Sequence, residues 1–163
     1  MRIVLNSATR VAALLLMVSA ACSNTPVQPQ LVTRDVNAQC ALTFSAPPTI
    51  PPPPLFTQQD RGSCTFTSLG ELAYAGELTI DVTAGTQRGT RTFTAPDGAS
   101  FRATSEGTSF SRGPGLVGFT ATVRVIDGSG RFAGITGELR GEGTANQMTR
   151  MTTVTFVGTL TYR

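Results

Sequence analysis

Few side chains in this sequence can do chemistry, and what is missing narrows the choice further. The reactive or charged groups are three cysteines (Cys22, Cys40 and Cys64), two tyrosines (Tyr74 and Tyr162), thirteen basic residues, all arginine, and ten carboxylates. Histidine is absent. Ser–His and Cys–His nucleophilic pairs and the usual zinc ligand sets therefore cannot be assembled, and Cys40 and Cys64 lack the base that would make either a nucleophile. The remaining acid–base arrangement is a pair of carboxylates inside a cleft, for which Glu77, Asp81 and Glu106 would have to turn inward. No catalytic residue, metal ligand set or cofactor is expected. With Arg2 and Arg10 set aside as part of an N-terminal leader, eleven arginines face ten acids. That near-balance gives no cationic surface for a phosphate backbone, so no nucleic-acid partner is expected.

Cys22 has a distinct role. Arg2 and Arg10 precede the apolar stretch Val11 to Val18, which is followed by Ser19-Ala20-Ala21-Cys22. The layout is that of an export signal over residues 1–21, too short to span a bilayer as a helix. Val18-Ser19-Ala20-Ala21-Cys22 resembles the lipobox of bacterial lipoproteins, with Ser19 where leucine is usual. The expectation is cleavage before Cys22, acylation of that thiol, and a protein held at the cell-envelope membrane facing the periplasm or exterior. The alternative is cleavage after Ala21 to give a secreted soluble protein.

Cysteine arithmetic agrees. Three thiols in an oxidising compartment leave one over, and lipidation of Cys22 leaves Cys40 and Cys64 as a candidate disulfide. That bond would close a loop of about 25 residues and add on the order of 3 kcal/mol in the chain-entropy model. Two buried free thiols are the alternative. Residues 22–38, rich in Ser, Asn, Pro, Gln and Thr, read as the lipidated N-terminus and a flexible tether, leaving 39–163 as one domain.

The elements that must position these groups are strands. Cys40, Leu42 and Phe44 share one lane, and Leu78, Ile80 and Val82 alternate with Glu77, Thr79 and Asp81. Val117, Phe119, Ala121, Val123 and Val125 oppose Thr120, Thr122 and Arg124, and Val154, Phe156, Leu160 and Tyr162 oppose a lane of threonines. Period two with one apolar lane marks half-buried strands. Short glycine turns separate the runs, among them Pro96-Asp97-Gly98 and Gly113-Pro114-Gly115. Residues 46–54, with six prolines, cannot lie in a sheet interior and read as a surface loop. The fold class is all-β: a single antiparallel up-and-down β-barrel of seven or eight strands, or alternatively a β-sandwich.

On these lanes Glu77, Asp81, Glu106, Arg102 and Arg124 point outward as surface charge. The polar groups expected inside are Tyr74, Ser105, Ser109 and Tyr162, which would line any ligand cavity. Small inward residues, Gly76, Ala103, Gly107, Ala121 and Gly158, would either leave that cavity or let the strands coil tightly. The sequence thus points to a non-catalytic barrel taking a small apolar ligand or an envelope partner, or alternatively to a structural or interaction module. No residue pattern sets an oligomeric state.

One segment has a closer counterpart. Asp127-Gly128-Ser129-Gly130-Arg131-Phe132-Ala133-Gly134-Ile135-Thr136-Gly137 resembles the G-x-G-R-F-x-G-x-x-G stretch of the allene oxide cyclase and dirigent superfamily, matching at Gly128, Gly130, Arg131, Phe132, Gly134 and Gly137. The resemblance implies an eight-stranded antiparallel barrel in which this loop is structural, and it implies, as an alternative function, a cyclase or isomerase acting on an apolar substrate by shape confinement. Gly128-x-Gly130-x-x-Ala133 also fits a dinucleotide fingerprint, but that motif needs a following helix, and Gly134, Gly137, Gly141 and Gly143 show no helical period.

Overall fold

The computed structural model describes residues 30–45 and 52–163. The leader 1–21, Cys22, the tether as far as residue 29, and residues 46–51 of the proline-rich loop lie outside the described residues. The rest forms eight strands: β1 (Val32–Phe44), β2 (Leu55–Phe66), β3 (Gly70–Asp81), β4 (Thr86–Thr94), β5 (Ser100–Gly113), β6 (Leu116–Gly128), β7 (Thr136–Asn146) and β8 (Met151–Tyr162). Each pairs antiparallel with its neighbours in sequence, and β1 pairs with β8 from Val32↔Tyr162 to Thr43↔Met151, so the sheet closes into an up-and-down barrel. Closure removes every sheet edge.

The barrel starts at Val32, earlier than the boundary at residue 39 drawn from composition. Val32 to Ala38 carry too few apolar side chains to read as a strand. Their ladder to β8 and the burial of Val36 and Ala38 make them one.

The two ends of the barrel differ. One is filled by phenylalanines: the rings of Phe93 and Phe101 stack at 4.7 Å, Phe66 meets Phe93 edge-on at 5.5 Å, and Phe132 meets Phe101 edge-on at 5.4 Å. Phe132 reaches this cluster from the loop after β6, where residues Gly130–Phe132 form a single 3-10 turn and β7 follows. Gly130 has φ +59°, and a Cβ there would stand 2.8 Å from that of Ala99. The glycines of the loop therefore seat a side chain in the barrel end, and the helix that a dinucleotide loop requires is not there. Arg131 Nε lies 3.4 Å from Asp97 Oδ2, linking this loop to the β4–β5 hairpin.

The small inward residues serve curvature. A Cβ at Gly107 would lie 2.0 Å from the carbonyl oxygen of Thr120 on the next strand, so the backbones there approach as only glycine permits. Cys40 and Cys64, direct register partners on β1 and β2, are joined by a disulfide on the inner face. The outer lanes carry threonine, serine and charge. Arg102 pairs there with Asp127, and Arg124 Nε lies 2.8 Å from Glu138 Oε2. A barrel embedded in lipid is apolar outside. This wall faces water.

Candidate functional site

At the other end the barrel is hollow. A cup of about 510 Å³ opens between the β1–β2, β3–β4, β5–β6 and β7–β8 connections, a size in the range of small-molecule sites. Its walls are apolar, with Phe44, Phe56, Leu78, Ile80, Val117 and Phe119 contributed by β1, β2, β3 and β6. The period-two lanes of these strands turn apolar side chains inward, and the Phe132 end has enough of them to fill itself.

The floor is polar. Asp60 on β2 is opposite Gly76 on β3, which is opposite Arg91 on β4, so one inward row crosses three strands. Gly76 has no side chain, and the phenol of Tyr74 occupies the space: a Cβ at Gly76 would meet the Tyr74 hydroxyl at 2.7 Å. From there the Tyr74 hydroxyl accepts a hydrogen bond from Arg91 Nη1. The guanidinium also lies 5.5 Å from the centre of the Phe156 ring and 5.9 Å from that of Tyr74, within cation–π range. Across the row Gln58 Nε2 donates to Asp60 Oδ1 at 2.7 Å. Gln87, also on β4 but opposite Ile80 and Gly107, lines the wall nearer the mouth.

Burial sets the electrostatics of this floor. It pushes the Asp60 carboxyl above the usual aspartate range, against the Gln58 hydrogen bond and the Arg91 charge, which both pull it down. Burial likewise pushes the Tyr74 hydroxyl up to about 12, partly offset by Arg91. Arg91 is only 2% exposed, yet its Nε and Nη2 find no hydrogen-bond partner among the described residues, and the same holds for Gln87 Nε2. Buried donors are nearly always paired, so three orphans on two residues bordering one cup are unusual.

Of the four polar residues expected inside, Ser109 lines the cup and Tyr74 supports its floor through Arg91. Ser105 is buried in the wall, opposite Gly89 and Val123, and Tyr162 sits at the filled end, opposite Val32 with Arg34 over its ring. The structure does not bring the two tyrosines together. Glu77 and Glu106 are exposed, while Asp81 borders the cup at its rim and accepts the Ala84 amide at 2.8 Å. No group of three or more His, Cys, Asp or Glu side chains suited to a metal ion occurs among the described residues.

The residues missed from sequence are Asp60, Gln87 and Arg91. Gln87, Gly89, Arg91 and Phe93 alternate with Arg88, Thr90 and Thr92, a period-two signal hidden because only one of the four inward positions carries an apolar side chain. Fold and site together define a closed eight-stranded antiparallel barrel with one filled end and one ligand-sized open end. No family model matches the chain, and no curated protein matches it.

Proposed function

We propose that this chain is a non-catalytic binding barrel that takes a small, largely apolar molecule into its open end, carried by an envelope protein anchored through an acylated Cys22. The observation that carries the reading is the cup itself: about 510 Å³ of apolar-walled space closed below by polar groups with hydrogen bonds to spare. Few convergent polar groups in an otherwise apolar concavity are the general form of a small-molecule site. Kinship with the allene oxide cyclase and dirigent superfamily is part of the proposal. Its supports are the closed eight-stranded meander and the use of the Gly128–Gly137 segment as a structural end-piece.

The test is binding of N-phenyl-1-naphthylamine, a neutral apolar fluorophore, to the purified full chain. Saturable one-to-one enhancement is expected, and Ala145→Trp, which places an indole in the cup lining, should abolish it without lowering the unfolding midpoint. No saturable binding, or binding indifferent to Ala145→Trp, refutes the reading.

A second reading, an interaction module, rests on the rim. Leu55, Val82, Phe110, Leu116, Met148 and Met151 are all exposed, and all lie at the open end. Charged replacement of Met148 and Leu116 together would then cost partner or self-association while leaving fluorophore binding intact.

A further inference from the structure

From the orphaned donors we infer that the cup recognises an amphipathic anion, an apolar body with a carboxylate head seated on Arg91. The inference rests on the binding reading above and names the class of its ligand.

The geometry of the guanidinium is the starting point. Its Nη1 is taken by Tyr74, which leaves Nε and Nη2 without a partner among the described residues. Those two nitrogens form one edge of the planar fork, the edge that holds both oxygens of a carboxylate in parallel hydrogen bonds. Arg91 borders the cup, and Gln87 Nε2, on the same strand but nearer the mouth and also unpartnered, is a further donor in the cup lining. Gln58 is occupied by Asp60.

The alternatives for satisfying Arg91 from within the protein are few. Four charged side chains border the cup: Asp60, Asp81, Arg91 and Arg150. Asp81 and Arg150 belong to the rim, the first engaged with Ala84 and the second exposed in the β7–β8 turn. Among the described residues Asp60 is the carboxylate in the same inward row as Arg91, and no ion pair joins them, Gly76 of β3 lying between their strands. Burial raises the Asp60 carboxyl above its usual range, while the Gln58 hydrogen bond and the Arg91 charge pull it down. Cation–π contact with Phe156 and Tyr74 holds the guanidinium in place but provides no acceptor for Nε or Nη2. Above the floor the walls are aliphatic and aromatic, suited to a hydrocarbon chain or ring. An acceptor anion below and apolar bulk above is the composition that satisfies both halves of the cup.

The experiment compares sodium decanoate with decan-1-ol, which share a chain and differ in the head, as displacers of N-phenyl-1-naphthylamine from the full chain at neutral pH. Hydrogen bonds to a buried charge imply that decanoate binds about ten- to hundredfold more tightly. Arg91→Met, which keeps an unbranched apolar stem and removes the charge, should erase that preference while leaving decan-1-ol affinity within about twofold. Gln87→Leu should reduce the preference in part. Equal affinity of the two displacers for the wild-type chain overturns the inference and leaves the binding cup standing. So does a decanoate preference that survives in Arg91→Met. Failure of both displacers and of the fluorophore refutes the cup itself. Should Arg91→Met not fold, the wild-type comparison and Gln87→Leu decide the matter.

Discussion

Replacing Phe132 by alanine tests how the filled end of the barrel is held. The ring is 1% exposed and packs edge-on against Phe101, which stacks in turn on Phe93. Truncating a fully buried phenylalanine costs about 3–5 kcal/mol, from lost transfer energy plus the cavity left behind. Relaxation is limited here because the loop that carries Phe132 is fixed by three short hydrogen-bonded turns, Phe132 N–H to Ser129 O, Ala133 N–H to Gly130 O and Ile135 N–H to Phe132 O, at 3.0–3.1 Å. The upper half of the range is therefore expected. Since a domain has only about 5–15 kcal/mol of stability in all, the loss is a large share. In urea, with a slope of about 2 kcal/mol/M, the midpoint should fall by roughly 2 M. Gly130→Ala should be destabilising by itself, because it puts a Cβ at φ +59° and 2.8 Å from Ala99. A Phe132→Ala midpoint equal to wild type would refute the view of this loop as an end-piece of the core.

Three further outcomes are expected. Cys40 and Cys64 should resist alkylation in native, unreduced protein, and reduction should lower the unfolding free energy by about 3 kcal/mol; prompt labelling of both thiols speaks against the bond. Cys22→Ala should move the protein from the membrane fraction to the soluble fraction of a native host and remove its acyl group, and unchanged fractionation with an unacylated wild-type N-terminus counts against the anchor. Tyr74 keeps its proton in the folded state up to about pH 12, whereas an unfolded tyrosine loses it near 10.0. The native state thus binds more protons between those values, so unfolding free energy should fall across that interval by about 2–3 kcal/mol. Tyr74→Phe should flatten that fall, as read from denaturation midpoints at stepped pH.

The strands legible in the sequence are those with one clean apolar lane. β6 and β8 show this best, and their alternation alone places Val123, Phe156 and Leu160 inside. β2 and β4 were illegible for the opposite reason: their inward lanes run through Gln58, Asp60 and Gly62, and through Gln87, Gly89 and Arg91, which period-two reasoning assigns to water. These two strands supply the polar floor of the cup. Local pattern and global fold disagree there, as they do where a site departs from the rules that build a core. Tyr162 was misleading in the converse way, because inward direction is readable from parity whereas height along the barrel axis depends on register with β1. Register is fixed by pairing between residues more than a hundred positions apart, which no local window contains.

An even number of strands in a meander has a directional consequence. β1 starts and β8 stops at the filled end, as Val32↔Tyr162 shows, while Thr43↔Met151 lies beside the mouth. A leash joined before β1, as in the proposed anchored protein, would reach the barrel at its base, like a flask held from below. If Cys22 is the anchor proposed above, the mouth lies at the end of the barrel away from the point where the leash joins it. A reporter fused after β8 would sit beside the leash and leave the mouth clear, so distance between a C-terminal label and the attachment surface is a direct measure of which way the flask stands.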